Sequence, residues 1–236
     1  MTERSAGSIR ARVRAEMTEE IKAVARKHLA AQGANLSLRA VARDMGMVSS
    51  ALYRYFANRD ELLTALILDA YNSMGEAAEA ADAAITHRGD ITRRWLAVAH
   101  ALRDWALARP HEYALVYGSP VPGYAAPPDT IGPASRPVLV FGAMLADAKA
   151  AGRLHPMPTP PLPRALRAEV KQAAEVIGGG DVDERTMARA LTAWTELFGA
   201  ISFELFGRIN NVIDERTAWF DHQMRAMLAF IGVGPE

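Results

Sequence analysis

The side chains best suited to chemistry lie between residues 38 and 63, in the run LRAVARDMGMVSSALYRYFANRDELL. Three small residues come first, and an arginine between two tyrosines follows after one leucine. The group consists of Ser49, Ser50, Ala51, Tyr53, Arg54 and Tyr55. Small side chains let a backbone approach DNA bases closely, while tyrosine and arginine can reach phosphates or base edges. The pattern therefore favours contact with a nucleic acid.

Two short helices joined at a glycine must position these side chains. Ser37 can cap a helix over residues 38–45, Gly46 ends it, and a second short helix is predicted over 49–56. Glycine permits the positive-φ turn that sets two helices at a steep angle. The residues that can pack across this turn are Val41, Ala42, Met47, Leu52 and Phe56. This is helix-turn-helix geometry, which leaves the second helix free to enter a major groove.

Basic residues flank this motif on both sides. Arg39 begins the preceding helix and Arg59 begins the next one, so both are expected beside the groove. Arg10, Arg12 and Arg14 form an alternating basic arm before the first helix. Such an arm can contact the DNA backbone or an adjacent minor groove.

The formal net charge of zero hides an asymmetry along the chain. Residues 1–60 carry 11 Lys and Arg against 6 Asp and Glu, whereas residues 61–236 carry 16 against 21. A basic N-terminal part indicates an anionic partner at that end. An excess this small can also arise by chance, so the argument depends on the motif.

The motif resembles the DNA-binding domain of the TetR (tetracycline-repressor-like) transcriptional regulators over about residues 15–65. The resemblance rests on Gly46, Leu52-Tyr53-Arg54-Tyr55-Phe56, Arg59 and Glu61-Leu62-Leu63, in order and at the family spacing. It implies that Tyr53 and Tyr55 anchor phosphates and that Arg59 clamps the backbone. It also implies that Ser49, Ser50 and Ala51 face base edges. Val48 departs from the Ser or Thr often found as the cap of the recognition helix, so Ser49 is expected to take that role.

Composition excludes several other classes of protein. There is no cysteine, which removes disulfides, thiolate nucleophiles and cysteine-ligated zinc. The apolar stretches are too short to span a bilayer, and the N-terminus lacks the apolar core of a signal peptide. There is no P-loop, GxGxxG, HExxH or GxSxG motif. We expect a cytoplasmic protein without a cofactor or membrane partner.

The fold class expected is all-α, because alanine is frequent and β-branched alternation is scarce. The predicted helices cover about residues 9–32, 38–45, 49–56, 58–84, 90–109, 111–117, 134–151, 164–177, 183–209 and 214–232. Proline-rich connectors are expected at 118–133 and 155–164, and glycines at 178–180 break the chain. We expect a three-helix helix-turn-helix domain over residues 1–62 and a helical ligand-binding and dimerisation domain over 63–236.

The C-terminal part offers candidate residues for an effector pocket and for a dimer interface. Aromatic side chains with a few polar tips suit an apolar small-molecule pocket, although they equally suit an ordinary core. The pocket candidates are Trp95, His100, Trp105, Tyr113, Tyr117, Phe141 and Met144. Apolar stripes on the last two predicted helices favour a four-helix interface around a two-fold axis, although they can also pack internally. The interface candidates are Trp194, Phe198, Ile201, Leu205, Trp219, Phe220, Met224 and Met227.

This part also resembles a narrower TetR subgroup named for a Trp-His-Gly motif. Trp194 and Gly199 match that motif, but Phe198 stands where the histidine is expected. The resemblance implies a homodimeric repressor that binds a palindromic double-stranded operator and is released from it by a small-molecule effector.

Three alternatives remain open from the sequence. His100 and Asp104 lie four residues apart on one predicted helix, a spacing that can hold a metal or pair a base with an acid. A purely structural helical adaptor explains the apolar stripes but not the basic motif. The arginine-rich N-terminus could lie on a membrane surface, although Glu16, Glu19 and Glu20 interrupt its basic face.

Overall fold

The computed structural model describes residues 2–33, 36–158, 160–179 and 181–234, without the side chains of residues 2–8 and 32. Within these residues the chain is helical and has no strand, as the sequence predicts. The helices are α1 (Thr2–Gln32), α2 (Leu38–Asp44), α3 (Ser49–Leu52), α4 (Arg59–Ala83), α5 (Ile91–Ala108), α6 (Pro110–Tyr117), α7 (Ile131–Ala150), α8 (Arg164–Val176), α9 (Glu184–Leu205) and α10 (Arg216–Ile231). None of these helices is long and apolar enough to cross a membrane.

Four of the predicted helix boundaries are wrong by three residues or more, and one of these is the end of α9, which lies at Leu205 instead of residue 209. Helix α1 begins at Thr2 instead of residue 9, and α3 ends at Leu52 instead of residue 56. The segment 118–133 was expected to lack regular structure, yet it contains a 3₁₀ turn at Pro128–Thr130 and the start of α7. Pro133 stands in the first turn of α7, where its missing N–H has no helical partner to lose.

Two compact units form, one of Met1–Tyr71 with Arg109–Thr130 and the other of Asn72–Ala108 with Ile131–Glu236. We refer to them as unit 1 and unit 2. The helix α6 and the segment after it therefore pack with the N-terminal helices. Helix α4 contributes to both units: its residues up to Tyr71 belong to unit 1, which includes residues 62 and 63 on either side of the predicted boundary, and those from Asn72 belong to unit 2.

The core of unit 1 joins α1, α2, α3 and α4. Its fully buried members include Ile21 and Ala25 of α1, Val41 of α2, Leu52 of α3 and Leu62 of α4. Val121, from the segment after α6, belongs to the same apolar cluster. Short helices such as α2 and α3 are not stable alone, so this shared core holds them in place.

In unit 2, α10 packs on α9 and α5, while α7 packs on α5 and α8 packs on α9. Aromatic rings form a continuous row through the unit. Trp95 contacts Phe141, Phe141 stacks on Trp194, and Trp194 meets Phe198 at ring-centroid distances of 5.1, 5.5 and 5.0 Å. The indole nitrogen of Trp95 donates to the carbonyl of Met224 at 2.9 Å, which satisfies its polar group inside the core.

Candidate nucleic-acid interface

The predicted helix-turn-helix is present in unit 1. Ser37 Oγ accepts a hydrogen bond from the backbone N–H of Ala40 at 3.4 Å, which confirms Ser37 as the cap of α2. Gly46 has a φ of 67°, the left-handed turn that glycine adopts without steric cost. Val41, Ala42, Leu52 and Phe56 are buried in one cluster with Met47 packed against it, as the sequence predicts.

The outer face of α3 and the turn after it carries the predicted contact residues. Ser50, Tyr53 and Arg54 are exposed, and the side chain of Tyr53 keeps 44% of its accessible surface. Ser49 and Ala51 are half-buried. Tyr55 is also half-buried, Arg39 is exposed on α2, and Arg59 begins α4. The structure therefore collects these side chains around one short helix.

The expectation that Ser49 caps α3 is wrong. The N-cap is Val48, with φ −70° and ψ 139°, and no side chain caps this helix end. Ser49 is instead the first helical residue. Val48 keeps 70% of its surface exposed next to Ser49 and Ser50. Sequence reasoning passed over Val48 as a contact residue, although an apolar side chain in this place can meet a thymine methyl group.

The arginines expected to form an arm before the first helix lie within α1. A helix forms there because the segment TERSAGSIRARVRAEM contains no proline and continues directly into the apolar face of α1. Arg10 and Arg12 are exposed, and Arg12 pairs with Glu16 at 3.5 Å. Arg14 contacts the turn after α3: its Nη2 donates to the carbonyl of Arg54 at 2.9 Å, and its guanidinium lies over the ring of Tyr55.

A reciprocal cap fixes the start of α4 after the recognition turn. The backbone N–H of Glu61 donates to Asn58 Oδ1 at 2.8 Å, and the Glu61 carboxylate accepts from the N–H of Ala57 at 2.6 Å. The arrangement is similar to a capping box, except that the carboxylate accepts from the residue before Asn58 and not from Asn58 itself. Arg59 is the first residue of α4, just inside this cap.

Ion pairs fix α1 against α4 and α6 in unit 1. Asp69 accepts from Lys22 Nζ at 3.0 Å and from Arg26 Nη2 at 2.5 Å, and Arg26 also lies 3.9 Å from Glu112. Burial alone would lower the pKa of Lys22, but hydrogen bonds to Asp69 and Glu19 outweigh it and raise that pKa. The lysine therefore stays charged, and the helices behind the motif are linked by charge as well as by apolar packing.

Comparison with known proteins agrees with this geometry. Residues 21–66 match the family model described as bacterial regulatory proteins of the tetR family, and residues 95–227 match the tetracyclin repressor-like C-terminal domain. A regulator of Mycobacterium tuberculosis named HTH-type transcriptional regulator Rv1816 is 37% identical over 226 residues, covering 92% of this chain and 93% of its own length. The chain belongs to the TetR family of transcriptional regulators.

Solved TetR structures share the fold. The crystal structure of a regulatory protein named SCO4313 aligns with a TM-score of 0.75 at 34% identity, covering 93% of this chain and 98% of that one. A tetR-family regulatory protein from Rhodococcus RHA1 aligns with a TM-score of 0.63 at 17% identity, over 92% and 98% of the two chains. The expected TetR membership is confirmed, and the chain is a DNA-binding regulator instead of an enzyme.

The predicted effector residues of this TetR protein lie in both units. Tyr113 and Tyr117 belong to unit 1, and the other five belong to unit 2. Most of their side chains fill the core, and the buried ones are Trp95, Trp105, Tyr113, Phe141 and Met144. None of the seven lines the cavity of about 560 Å³ that lies between α8 and α9. Its lining includes Val170, Ala174, Val182 and Met187 below a rim of charged side chains, among them Arg167 and Lys171.

Tyr113 and Tyr117 take part in a tyrosine cluster within unit 1. The two rings stack at 5.2 Å, and Tyr71 of α4 meets Tyr117 edge-on at 6.5 Å. Thr64 and the hydroxyl of Tyr124 share a hydrogen bond of 2.9 Å. Burial and the neighbouring tyrosines raise the pKa of Tyr117 far above its ordinary value. These contacts fix α6 and the segment after it against α4.

Part of the predicted interface set proves to be internal. Ile201, Phe220 and Met224 are buried within unit 2, so their side chains offer no surface to a second copy, and naming them as interface residues is wrong. These side chains lie on the faces of α9 and α10 that pack against each other and against α5. Trp219 is exposed, while Trp194, Phe198, Leu205 and Met227 are half-buried. Sequence reasoning missed four exposed apolar side chains on or beside these helices: Phe203, Phe206, Val212 and Phe230.

The pairing of His100 with Asp104 does not form. His100 Nε2 lies 3.3 Å from Asp221 Oδ1 on α10, and its ring meets Phe220 edge-on. Asp104 instead lies 3.8 Å from Arg103. His100 therefore links α5 to α10, which leaves no acid–base pair on α5 of the kind that the sequence allowed.

Proposed function

We propose that this TetR protein is a homodimeric repressor that binds a palindromic operator and releases it when a small apolar or aromatic effector binds. The observation that carries the proposal is the exposed polar face of α3, held on a buried helix-turn-helix core. A repressor that binds an operator would act in the cytoplasm, where the bacterial chromosome lies. The two heads of a dimer would reach half-sites one helical turn apart.

At each half-site, Ser49, Ser50 and Ala51 are proposed to face base edges, with Tyr53 and Arg54 reaching phosphates or bases. Tyr53 and Arg54 are exposed, which supports this assignment. Tyr55, Arg39, Arg59, Arg10 and Arg12 would contact the sugar-phosphate backbone around that centre. Such contacts fix register and orientation but carry no sequence information directly.

The proposed dimer interface uses the outer faces of α9 and α10. Phe203, Phe206, Trp219 and Phe230 are large apolar side chains that remain exposed there. A groove of about 320 Å³ lies between the two helices and is lined by Gly199, Phe203 and Trp219 among others. An exposed apolar patch of this kind is typical of a protein–protein interface. Two helices from each copy would form a four-helix interface.

The effector is proposed to bind in unit 2. The cavity between α8 and α9, at about 560 Å³, falls within the ~300–1,000 Å³ typical of small-molecule sites. The predicted aromatic residues of α5 and α7 form the core beside α9. An effector that favours a dimer with the wrong head separation would release DNA. To shift that equilibrium from 1:99 to 99:1 it must bind one state with about 5.5 kcal/mol of preference.

The test of DNA binding is selection from a pool of random duplexes by the purified full chain, at two salt concentrations. A palindromic consensus whose affinity falls steeply with salt is the expected result. Binding without a consensus would contradict sequence-specific regulation. Denaturing mass spectrometry of the purified protein checks for a co-purified effector before the absence of binding is taken as a contradiction.

Sedimentation tests the dimer. The substitution Phe203→Glu places a charge in the proposed interface and is expected to give monomers with weakened operator binding. Val176→Glu is the matched control, because Val176 is an equally exposed apolar residue on α8, outside the proposed interface. A wild-type protein that sediments as a monomer at micromolar concentration would contradict the dimer proposal while leaving the family assignment intact.

A further inference from the structure

The turn that follows the recognition helix α3 is held from outside by an arginine of α1. Arg14 Nη2 donates a hydrogen bond to the backbone carbonyl of Arg54 at 2.9 Å. The Cζ atom of the same guanidinium lies 5.1 Å from the centre of the Tyr55 ring, within the range of a cation–π contact. One side chain thus contacts two consecutive residues, which lie 40 and 41 positions further along the chain.

The contact lies just after the end of α3, a helix too short to fix the following turn by itself. Helix α3 has only four residues, Ser49–Leu52, and the chain then continues as a turn. The N–H groups of Arg54 and Tyr55 bond back to Ala51 and Leu52 at 3.3 and 2.9 Å. Without the Arg14 contact, the Arg54 carbonyl and the Tyr55 ring would lose a restraint in the turn where a DNA-contacting tyrosine must be oriented.

The neighbouring arginines of α1 differ from Arg14. Arg12 pairs with Glu16 one helical turn away, and both side chains are largely exposed. Arg10 is exposed on the same segment and has no ion pair among the described side chains. Both remain able to turn toward a phosphate, whereas the guanidinium of Arg14 is already committed to α3 and its turn.

We propose that Arg14 is a positioning residue for sequence-specific DNA binding: it acts through Arg54 and Tyr55 and makes no phosphate contact of its own. The inference rests on the proposed DNA-binding function. The planar guanidinium carries its N–H donors in a rigid fork, so it can lie over the ring while it donates to the carbonyl beside it. A lysine ammonium is a compact charge on a flexible stem and would hold both contacts less firmly.

The test compares Arg14→Lys and Arg14→Ala with the wild-type protein, using the operator selected by the wild type and a scrambled duplex of equal length. Arg14→Lys keeps the positive charge but loses the planar guanidinium. We expect it to weaken operator binding about three- to tenfold, from the size of one lost contact, either the cation–π contact or the hydrogen bond. Binding to the scrambled duplex should change little, because phosphate attraction is retained.

The two possible roles predict opposite results. For a phosphate contact, lysine would substitute for arginine, and Arg14→Ala would weaken binding to both duplexes alike. The slope of log K against log salt would then fall by about 0.9 for each lost contact. If Arg14 is a positioning residue, the Arg14→Lys protein binds the operator more weakly, but the slope of log K against log salt is unchanged. Arg10→Ala and Arg10→Lys serve as matched controls, and they are expected to follow the phosphate pattern.

Folding is checked by circular dichroism, and little change is expected because the side chain of Arg14 is exposed. An Arg14→Lys protein that binds the operator as tightly as the wild type overturns the inference alone. A wild-type protein that selects no sequence overturns the proposed function, and the inference with it. These two failures are distinguished by the wild-type selection, which is completed before any variant is measured.

Discussion

A buried ion pair between α5 and α9 provides the sharpest prediction for stability. Arg103 donates to the two carboxylate oxygens of Glu204 at 2.7 and 2.6 Å, and only 8% and 6% of the two side chains remain exposed. The guanidinium also lies 5.5 Å from the ring centre of Phe220. Glu204→Gln removes the buried negative charge and leaves the buried arginine with only the exposed carboxylate of Asp104, 3.8 Å away.

Breaking a buried pair from one side costs about 3–5 kcal/mol, because the remaining charge stays desolvated. For a chain of this size each kcal/mol lowers the melting temperature by about 2–4 °C, so a fall of roughly 6–20 °C is expected. The assay is tryptophan fluorescence, since Trp95, Trp105, Trp194 and Trp219 all belong to unit 2, as the pair does.

The control is Arg167→Gln, which breaks an exposed pair with Glu184 in the same unit, at 3.4 Å. Exposed pairs contribute about 0–1 kcal/mol, so this variant should unfold close to the wild type. The double variant Arg103→Met/Glu204→Leu should recover most of the loss, because an apolar pair of similar volume carries no desolvation cost. A Glu204→Gln protein no less stable than Arg167→Gln would refute the reasoning.

Four further predictions follow from other contacts. Burial opposes ionisation of Asp82, but hydrogen bonds led by that from Arg94 outweigh it and hold the pKa of Asp82 below its ordinary value. The ionised carboxylate therefore adds to the free energy of unfolding above pH ~4, and this contribution is lost as the pH falls through the lowered pKa. An Asp82→Asn protein should not show this loss of stability in acid. Burial raises the pKa of Tyr117, so unit 1 should lose stability above pH ~10, and Tyr117→Phe should lessen that loss. Gly46→Ala should cost about 1 kcal/mol through backbone strain alone, because a Cβ there would meet nothing within 4 Å. Val48→Ser should gain about 1 kcal/mol by capping α3.

Each of these has a direct measurement. Acid unfolding by tryptophan fluorescence follows Asp82, and alkaline unfolding by circular dichroism follows Tyr117. For Gly46→Ala the matched variant is Gly132→Ala, where a Cβ also meets nothing within 4 Å but φ is not positive. Equal stabilities of these two glycine variants would contradict the strain argument. A Val48→Ser protein no more stable than Val48→Ala would contradict the capping argument.

Local signals in the sequence were sufficient for most of the candidate DNA interface. Ser37, Gly46 and the apolar residues around them act within a few positions of one another, so cap, turn and miniature core could be predicted together. The spacing from Leu52 to Glu61 carried the family resemblance for the same reason. The predicted cap of α3 is wrong by one residue, Ser49 instead of the adjacent Val48, because helix ends are the feature that a sequence pattern predicts least well.

The sequence by itself determined that this chain is all-α, that it carries a helix-turn-helix and that it belongs with the TetR regulators. Helical periodicity and turn chemistry are local, and they suffice for those conclusions. Only the tertiary structure decided that α6 joins the N-terminal unit, that Arg14 holds the turn after α3, and that Ile201, Phe220 and Met224 are internal. An apolar stripe shows that a face will be covered but not by what, because the covering residues lie tens or hundreds of positions away along the chain.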